Sequence, residues 1–306
     1  MANQAPTYFI TQFTDQVEFL AQQMPARFWN ASDIRSYEGS GATAVEQFGL
    51  TSMTKVTGRA QPATITDTPA SRRWIYQNKY WIADLIDTFE KLEMAIDPDG
   101  WIAKDFTFAM NRQKDDEWIA NYFGTAYTGN TSTTGNAPST AVTFPAAQIV
   151  AVTTGSSGGA TAVHFNVPKL RAARLGMLQN EVDLTYDPAY AGLSAVQLDD
   201  MLNQAQAISL DFQDKPVLQE GQIERFMGFE FIHSERLPLS TDGNSYRFNP
   251  IWVKSGMRAG VWMDETTQMY QRDDLIGRPW QVASMLQIGA TRLQEVKCWY
   301  AINKEN

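Results

Sequence analysis

Residues 67–129 read DTPASRRWIYQNKYWIADLIDTFEKLEMAIDPDGWIAKDFTFAMNRQKDDEWIANYFGTAYTG, and the changes of hydrophobic period inside this stretch decide the class of fold. Trp74, Tyr76, Tyr80 and Ile82 alternate with Arg73, Gln77 and Lys79, which is the two-residue repeat of a strand with one apolar face. The period then turns helical. Leu85, Phe89, Leu92 and Ile96 stand at i, i+4, i+7 and i+11, with Asp87 and Lys91 as an i,i+4 ion pair on the wet side. Asp97-Pro98 closes that helix and opens the next, with Asp97 as N-cap and Pro98 at the first helical position. The second helix runs over about 99–123, to the residue before Gly124, and is unusually long for a globular domain.

Toward the N-terminus, Ile10, Phe13, Val17, Leu20 and Met24 predict an amphipathic helix over about 8–24. Between about 36 and 80 the helical period is absent, and Gly39, Gly41, Gly49 and Gly58 punctuate a Thr-, Val- and Ala-rich stretch that reads as an extended hairpin arm. Its scattered apolar residues, Phe48, Leu50 and Met53, are too few for a core of their own, so they need a partner surface.

Toward the C-terminus, Trp118 to Pro168 contains no Asp, Glu, Lys or Arg, where average usage gives roughly ten; its Gly, Thr, Ser and Asn predict loops and short strands. Two shorter helices are entered through Asn166-Val167-Pro168 and through the capping box Ser194-Ala195-Val196-Gln197. Beyond about 208 the chain reads as strands and loops, including Arg225–His233, Val261–Gln271 and Gln281–Ile302, the last interrupted at Gly289. Helices and strands in separate runs make the class α+β.

With 306 residues, 43% of them hydrophobic, the chain can bury a sizeable core, while a net charge of -9 argues against a surface given over to nucleic acid. Cys298 is the only cysteine, so no intrachain disulfide forms and intracellular synthesis is expected. No signal-peptide pattern or membrane-length apolar run is present, so secretion, membrane insertion and use of the sequons at Asn30 and Asn130 are not expected.

Gly155-Ser156-Ser157-Gly158-Gly159 matches G-x-S-x-G, and Ser157, Asp183 and His233 fall in the hydrolase order, but a nucleophile elbow needs a strand before it and a helix after. Ala160–Phe165 reads instead as a second strand, which makes the segment a glycine-rich hairpin turn. Gly39 to Ala44 matches a loose dinucleotide fingerprint without the preceding buried strand. His164, His233 and Cys298 lie at no mutual ligand spacing, so no metal or cofactor is expected, and each histidine is read as a hydrogen-bonded structural imidazole. Asp115-Asp116 and Asp199-Asp200 point about 100° apart on a helix and read as solvated faces, while Arg72-Arg73 reads as an ion-pairing spot between subunits.

The same stretch resembles a family of tailed-bacteriophage major capsid proteins, in order and spacing. The resemblance is carried by Asp67-Thr68-Pro69, Ser71-Arg72-Arg73, Tyr80-Trp81, Ala83 to Asp87, Lys91, Met94, Ile96-Asp97-Pro98, Asp115-Asp116 and Phe123 to Gly129. Weaker similarity continues through Arg225 to Phe229, Ser234 to Pro238 and Ile288 to Arg292. The resemblance implies the HK-97-type capsid fold: an N-terminal arm (1–34), an E-loop hairpin (35–80), a peripheral domain with a long spine helix (81–135), a mainly axial domain (136–260) and peripheral return strands (261–306). It implies no enzyme activity and a structural role in an icosahedral shell built from hexamers and pentamers of this chain. Its implied partners are a separate scaffolding protein, a portal, a decoration protein and packaged double-stranded DNA contacted non-specifically, with no membrane.

Candidate contacts between subunits are Phe48, Leu50, Met53, Lys55, Arg72 and Arg73. Asn111 to Lys114 departs from the Gly-Arg more common there, and Lys55, the arm's only lysine before residue 79, has no cross-linking partner or base assigned. The competing classes are a serine hydrolase at Ser157 and a monomeric β-rich binding module using the uncharged 118–168 stretch. Sedimentation and imaging separate both from a shell subunit.

Overall fold

The computed structural model describes residues 22–39, 41–59, 65–86, 98–129, 140–158, 161–204, 218–219, 222–240 and 245–305. The chain divides into two compact units, one of Met1–Pro25, Lys79–Arg112 and Met263–Leu286, the other of Ala26–Asn78, Gln113–Trp262 and Gln287–Asn306.

The second unit is built on a six-stranded sheet of order β11-β12-β8-β13-β16-β7: β7 (Ile149–Val150), β8 (Ala189–Leu193), β11 (Arg225–Phe226), β12 (Phe229–His233), β13 (Tyr246–Val253) and β16 (Cys298–Lys304). Its central strand β13 pairs antiparallel with both β8 and β16, and Asn249 to Val253 are all buried, as expected of a strand covered on both faces. Helix α2 (Val167–Gln179) starts where Asn166 caps it, its side chain accepting the Lys169 N–H at 3.0 Å, with Pro168 in the first turn. Leu170, Ala173 and Met177 of α2 and Met201 of α3 (Ala195–Leu202) bury on the sheet against Ala191, Phe229, Ile251 and Ala301. Gly176 lets α2 approach β16, because a Cβ there would sit 2.1 Å from the Trp299 ring.

A second sheet has the order β2-β3-β5-β6: β2 (Ala42–Phe48), β3 (Ala70–Tyr76), β5 (Ala126–Thr128) and β6 (Thr140–Val142), all antiparallel. The third has the order β1-β14-β15-β4: β1 (Asp33–Ser36), β4 (Asn78–Ile86), β14 (Met257–Gln271) and β15 (Trp280–Arg292). A short pair, β9 (Leu218–Gln219) and β10 (Gln222–Ile223), completes the strands among the described residues.

Helix α1 spans Pro98–Phe123, as the sequence predicts. Its portion in the first unit buries one stripe, Ile102, Phe106 and Met110, at four-residue spacing. There Ile102 and Phe106 meet Ile86 and Val282. Its portion in the second unit is buried nearly all round, with Asp115, Trp118 and Tyr122 wholly enclosed.

Three expectations change. Strand β4 continues to Ile86, because Ile86 buries against Ile102 while Leu85 stays half-exposed, so period two persists where a helix was read. The rest of that predicted helix, its N-cap Asp97, and the 8–24 helix up to residue 21 lie outside the described residues. Residues 161–165 form no strand, so the glycine-rich segment is a run of turns resting on the start of α2; Gly155 has φ 86° and packs against Asn166. Strand β15 passes through Gly289 unbroken, and the interruption comes at Leu293–Lys297. Glycine is needed at 289 because a Cβ would lie 1.9 Å from the Tyr76 carbonyl oxygen, a close approach of two backbones.

Candidate assembly surface

The β2–β3 arm is fixed at its base by its own unit. Ile75 is fully buried, and Arg73, on the same face, pairs with Glu295, both side chains being almost enclosed. Gln47 donates from Nε2 to the Leu293 carbonyl at 2.8 Å. The sequence reading of this strand placed Trp74 and Tyr76 on its buried face. The buried face is Arg73 and Ile75 instead, because the turn after β15 supplies both an anion and a carbonyl to that side. Trp74 and Tyr76 are half-buried on the other face, Trp74 donating to the Gly129 carbonyl at 3.0 Å and Tyr76 meeting Tyr127 edge-on.

The pairing ends at the Gly49 N–H to Pro69 carbonyl bond of 2.7 Å, and the described residues from 50 to 69 include no strand. From the last paired residue outward the side chains face solvent: Phe48 is 78% exposed, Leu50 92%, Met53 100%, Val56 76% and Ile65 91%. Lys55 is exposed among them. Arg72 lies at the edge of this region, its Nε donating to Glu46 at 2.7 Å and its guanidinium standing over the Trp74 ring. Of the six residues singled out from the sequence, Phe48, Leu50, Met53 and Lys55 share the exposed tip. Arg72 and Arg73 are both paired within the chain, Arg73 in a nearly buried setting.

Three contacts that hold the body under the arm were missed or misread from sequence. Asp115, read as part of a solvated face, is wholly buried and accepts the N–H groups of Arg27, Phe28 and Trp29 at 2.9, 3.0 and 3.1 Å. Only Asp116 behaves as expected, pairing with Arg236 at the surface. Arg292, buried, donates to the carbonyls of Asn121, Tyr122 and Gly124, the last turn of α1, where a cation complements the helix dipole. Lys169 is also buried, its Nζ donating to the Val163 and Ile302 carbonyls and to Asn303 Oδ1 at 2.8–2.9 Å. Burial lowers its pKa to about 7, partly opposed by the nearby Asp200 carboxylate.

Trp118 stacks on Phe28 and Tyr122 and meets Trp252, with ring centroids 4.6–5.1 Å apart. Tyr122 donates its hydroxyl to the Ile251 and Trp299 carbonyls, and burial pushes its pKa well up. Phe123 is half-buried against Tyr300 and Phe248.

The remaining motifs do not assemble. Ser157 is exposed in a turn, Asp183 accepts the Thr185 N–H, and His233 lies between Arg27 and Glu235. His164 stands 3.6 Å from Asp200. Cys298 is buried, which pushes its thiol up to about 12. An open cavity of about 1020 Å³ is bordered by Leu198, Leu202, Phe231 and His233, and among the described residues of its lining there is no serine, threonine or cysteine. Among the described residues there is no cluster of His, Cys, Asp and Glu able to hold a metal, and no helix long and apolar enough to cross a membrane.

A family model described as phage capsid protein matches residues 5–301. No curated protein matches the chain in sequence. Among solved structures, the capsid of cyanophage P-SCSP1u is similar at TM-score 0.75 and 15% identity, covering 100% of this chain and 97% of that one. The capsid of Ralstonia phage GP4 is similar at TM-score 0.72 and 10% identity, covering 100% and 98%. The capsid of cyanophage Pam1 is similar at 0.67 and 11%, covering 100% and 99%. The likeness extends over both units, and the fold is the HK-97-type capsid fold. With the family model spanning almost its whole length, the chain belongs to the phage capsid protein family, as a structural major capsid protein that self-associates into a shell.

Proposed function

We propose that the chain closes hexameric and pentameric capsomers by laying the tip of the 42–76 arm onto a neighbouring copy, with Phe48, Leu50, Met53 and Lys55 as contacts and Arg72 and Arg73 shaping the arm's edge and base. The observation that carries this is the apolar tip left in solvent beyond the Gly49–Pro69 rung. Burying such a side chain fully is worth about 1.5–3 kcal/mol, so the tip is a strong adhesive once covered. On this reading the arm is the E-loop, α1 is the spine helix, and the first unit with the long β14–β15 hairpin is the peripheral domain. The six-stranded sheet carries the axial domain. The N-terminal arm then ends before Ala26, since Ala26, Phe28, Trp29 and Ala31 are core residues. The protein is made in the host cytoplasm and incorporated into the virion, assembled with a separate scaffolding protein around a portal. Packaged DNA is contacted non-specifically, and the outer surface is open to a decoration protein.

The test replaces residues 50–68 with a short Gly/Ser linker, leaving β2 and β3 intact. The variant is expected to keep its cooperative melt by circular dichroism and to form neither capsomers nor shells by sedimentation and electron microscopy. Normal shells would sink the assignment.

A further inference from the structure

His233 and Arg27 form a contact whose chemistry admits one protonation state. Arg27 Nη1 stands 3.1 Å from His233 Nδ1 and donates to the His233 carbonyl oxygen at 2.5 Å, so both hydrogens of that nitrogen go to one residue. Across the ring, Nε2 lies 3.1 Å from Glu235 Oε1. A guanidinium has no lone pair to offer, and a carboxylate has no hydrogen. Nδ1 must therefore accept from Arg27, and Nε2 must carry the proton and donate it to Glu235. The imidazole is neutral, in a single tautomer.

A second proton on this ring goes to Nδ1. There it faces the N–H of Arg27, so a hydrogen bond gives way to two donors on two cations 3.1 Å apart. The same proton turns the Glu235 contact into an ion pair and strengthens it. Solvent reaches the ring, which is 41% exposed. The surrounding charges receive a released guanidinium. Asp199 of α3, Glu224 and Arg225 of the β10–β11 stretch, and Glu230 of β12 border the same open cavity as Arg27 and His233, three carboxylates to one further arginine. Arg247 of β13 approaches Glu235 at 3.7 Å and is itself held by Glu305, which keeps Glu235 in place on the far side of the ring.

The position of Arg27 gives this contact its consequence. The chain passes from one compact unit to the other between Pro25 and Ala26, and Arg27 follows directly. Its backbone N–H, with those of Phe28 and Trp29, is bound to Asp115 on α1. Residues 27–29 thus have a main-chain tether that does not involve the ring and a side-chain tether that does, and opening the segment breaks both. We infer that His233 is an acid-sensitive latch at the root of the N-terminal segment: its neutral ring holds Arg27, and protonation of the ring releases Arg27 and loosens residues 26–29. The latch does not depend on how the arm tip packs in a shell.

The test uses the full chain labelled with nitrogen-15 histidine, at about pH 7.5 and about pH 5, on either side of the value of about 6.5 at which an imidazole in water takes up its proton. The chain has two histidines, so His233→Asn identifies the His233 ring signals by their absence. At the higher pH the ring is expected to carry its proton on Nε2 alone, and at the lower pH on both nitrogens. The protection factor of the Arg27, Phe28 and Trp29 amides, their exchange relative to the unprotected rate at the same pH, is expected to fall about tenfold with that change, as for the loss of one hydrogen bond to a charged group. His233→Asn sets an oxygen acceptor where Nδ1 stands and does not titrate, so its protection should be the same at both pH values. Arg27→Met should be as weakly protected at the higher pH as wild type is at the lower. A proton on Nδ1 at the higher pH would overturn the inference, as would a ring still neutral at the lower pH, constant protection around a doubly protonated ring, or an equal loss in His233→Asn. If His233→Asn does not fold, Arg27→Met decides alone: protection equal to wild type at the higher pH contradicts the latch.

Discussion

The β2–β3 arm is tied down at its base and unpaired at its tip, whereas the β14–β15 hairpin carries its restraints at the tip itself. The arm's anchors, Arg73 to Glu295 and Gln47 to Leu293, lie where it leaves the body, and its ladder stops at Gly49. The other hairpin continues to residue 271 and is locked there by Arg272, which grips both carboxylate oxygens of Asp274 at 2.7 and 2.6 Å and reaches Gln281 Oε1 at 2.6 Å. An unpaired tip with a firm base can follow a neighbour's surface at the cost of ordering its chain on contact. A clamped tip has a finished shape and less freedom to lose. Both expose apolar side chains, Leu50 and Met53 at the one and Leu275 and Ile276 at the other, so the difference lies in adaptability rather than in chemistry.

The largest effect should come from removing the adaptable part. Excising 50–68 is expected to abolish assembly while shifting the melting temperature by no more than a few degrees, since loop closure depends weakly on length. Loss of the cooperative melt would show that the tip packs on its own subunit and would break the comparison.

The base should behave oppositely. Arg73→Ala removes the hydrogen-bonded partner of a nearly buried Glu295, leaving it only Arg292 at 3.9 Å, and is expected to cost about 1–3 kcal/mol in urea unfolding, whereas Arg72→Ala, which loses a solvent-facing pair with Glu46, is expected to cost less than about 1 kcal/mol. Equal costs would mean the base is not anchored as described.

The body beneath the arm has its own pH signature. Lys169 has a folded pKa of about 7 against 10.5 unfolded, so the unfolded chain binds the extra proton between those values. Its contribution to stability therefore rises with pH from about 7 to 10.5, and Lys169→Met is expected to flatten that slope in thermal melts.

The smallest effect belongs to the clamped tip. Arg272→Ala is expected to leave the melting temperature unchanged while speeding amide exchange in residues 272–279. Because the folded Asp274 carboxyl titrates at about 2 rather than 3.8, the protection factor of these amides, their rate relative to the unprotected rate at the same pH, should be constant near neutrality and should fall only as pH drops from 3.8 toward 2.

The elements with a strong period were legible before the structure: α1 from Pro98, α2 behind its Asn166 cap, and the strands ending in β16. The exposed half of the arm tip was legible too, because Phe48, Leu50 and Met53 have no periodic companions. What could not be read were pairings across long sequence separation. The alternation around Arg73 correctly indicated a strand but assigned the wrong face, since an arginine buries only when a distant residue such as Glu295 meets it. Asp115 looks like any surface carboxylate until three backbone N–H groups from residues 27–29 converge on it. The Arg272 clamp is local, and Arg-x-Asp ahead of a Gly-Arg turn was the signal that could have revealed it.

The glycine at 289 has a genetic consequence. With the Tyr76 carbonyl 1.9 Å from where a Cβ would stand, even alanine must push β15 away from the root of the arm, and no rotamer relieves a clash made by the first side-chain atom. A phage carrying Gly289→Ala should therefore plate conditionally, growing at low temperature and failing at high, and its revertants should map to the backbone around residues 76–78 rather than to the arm tip.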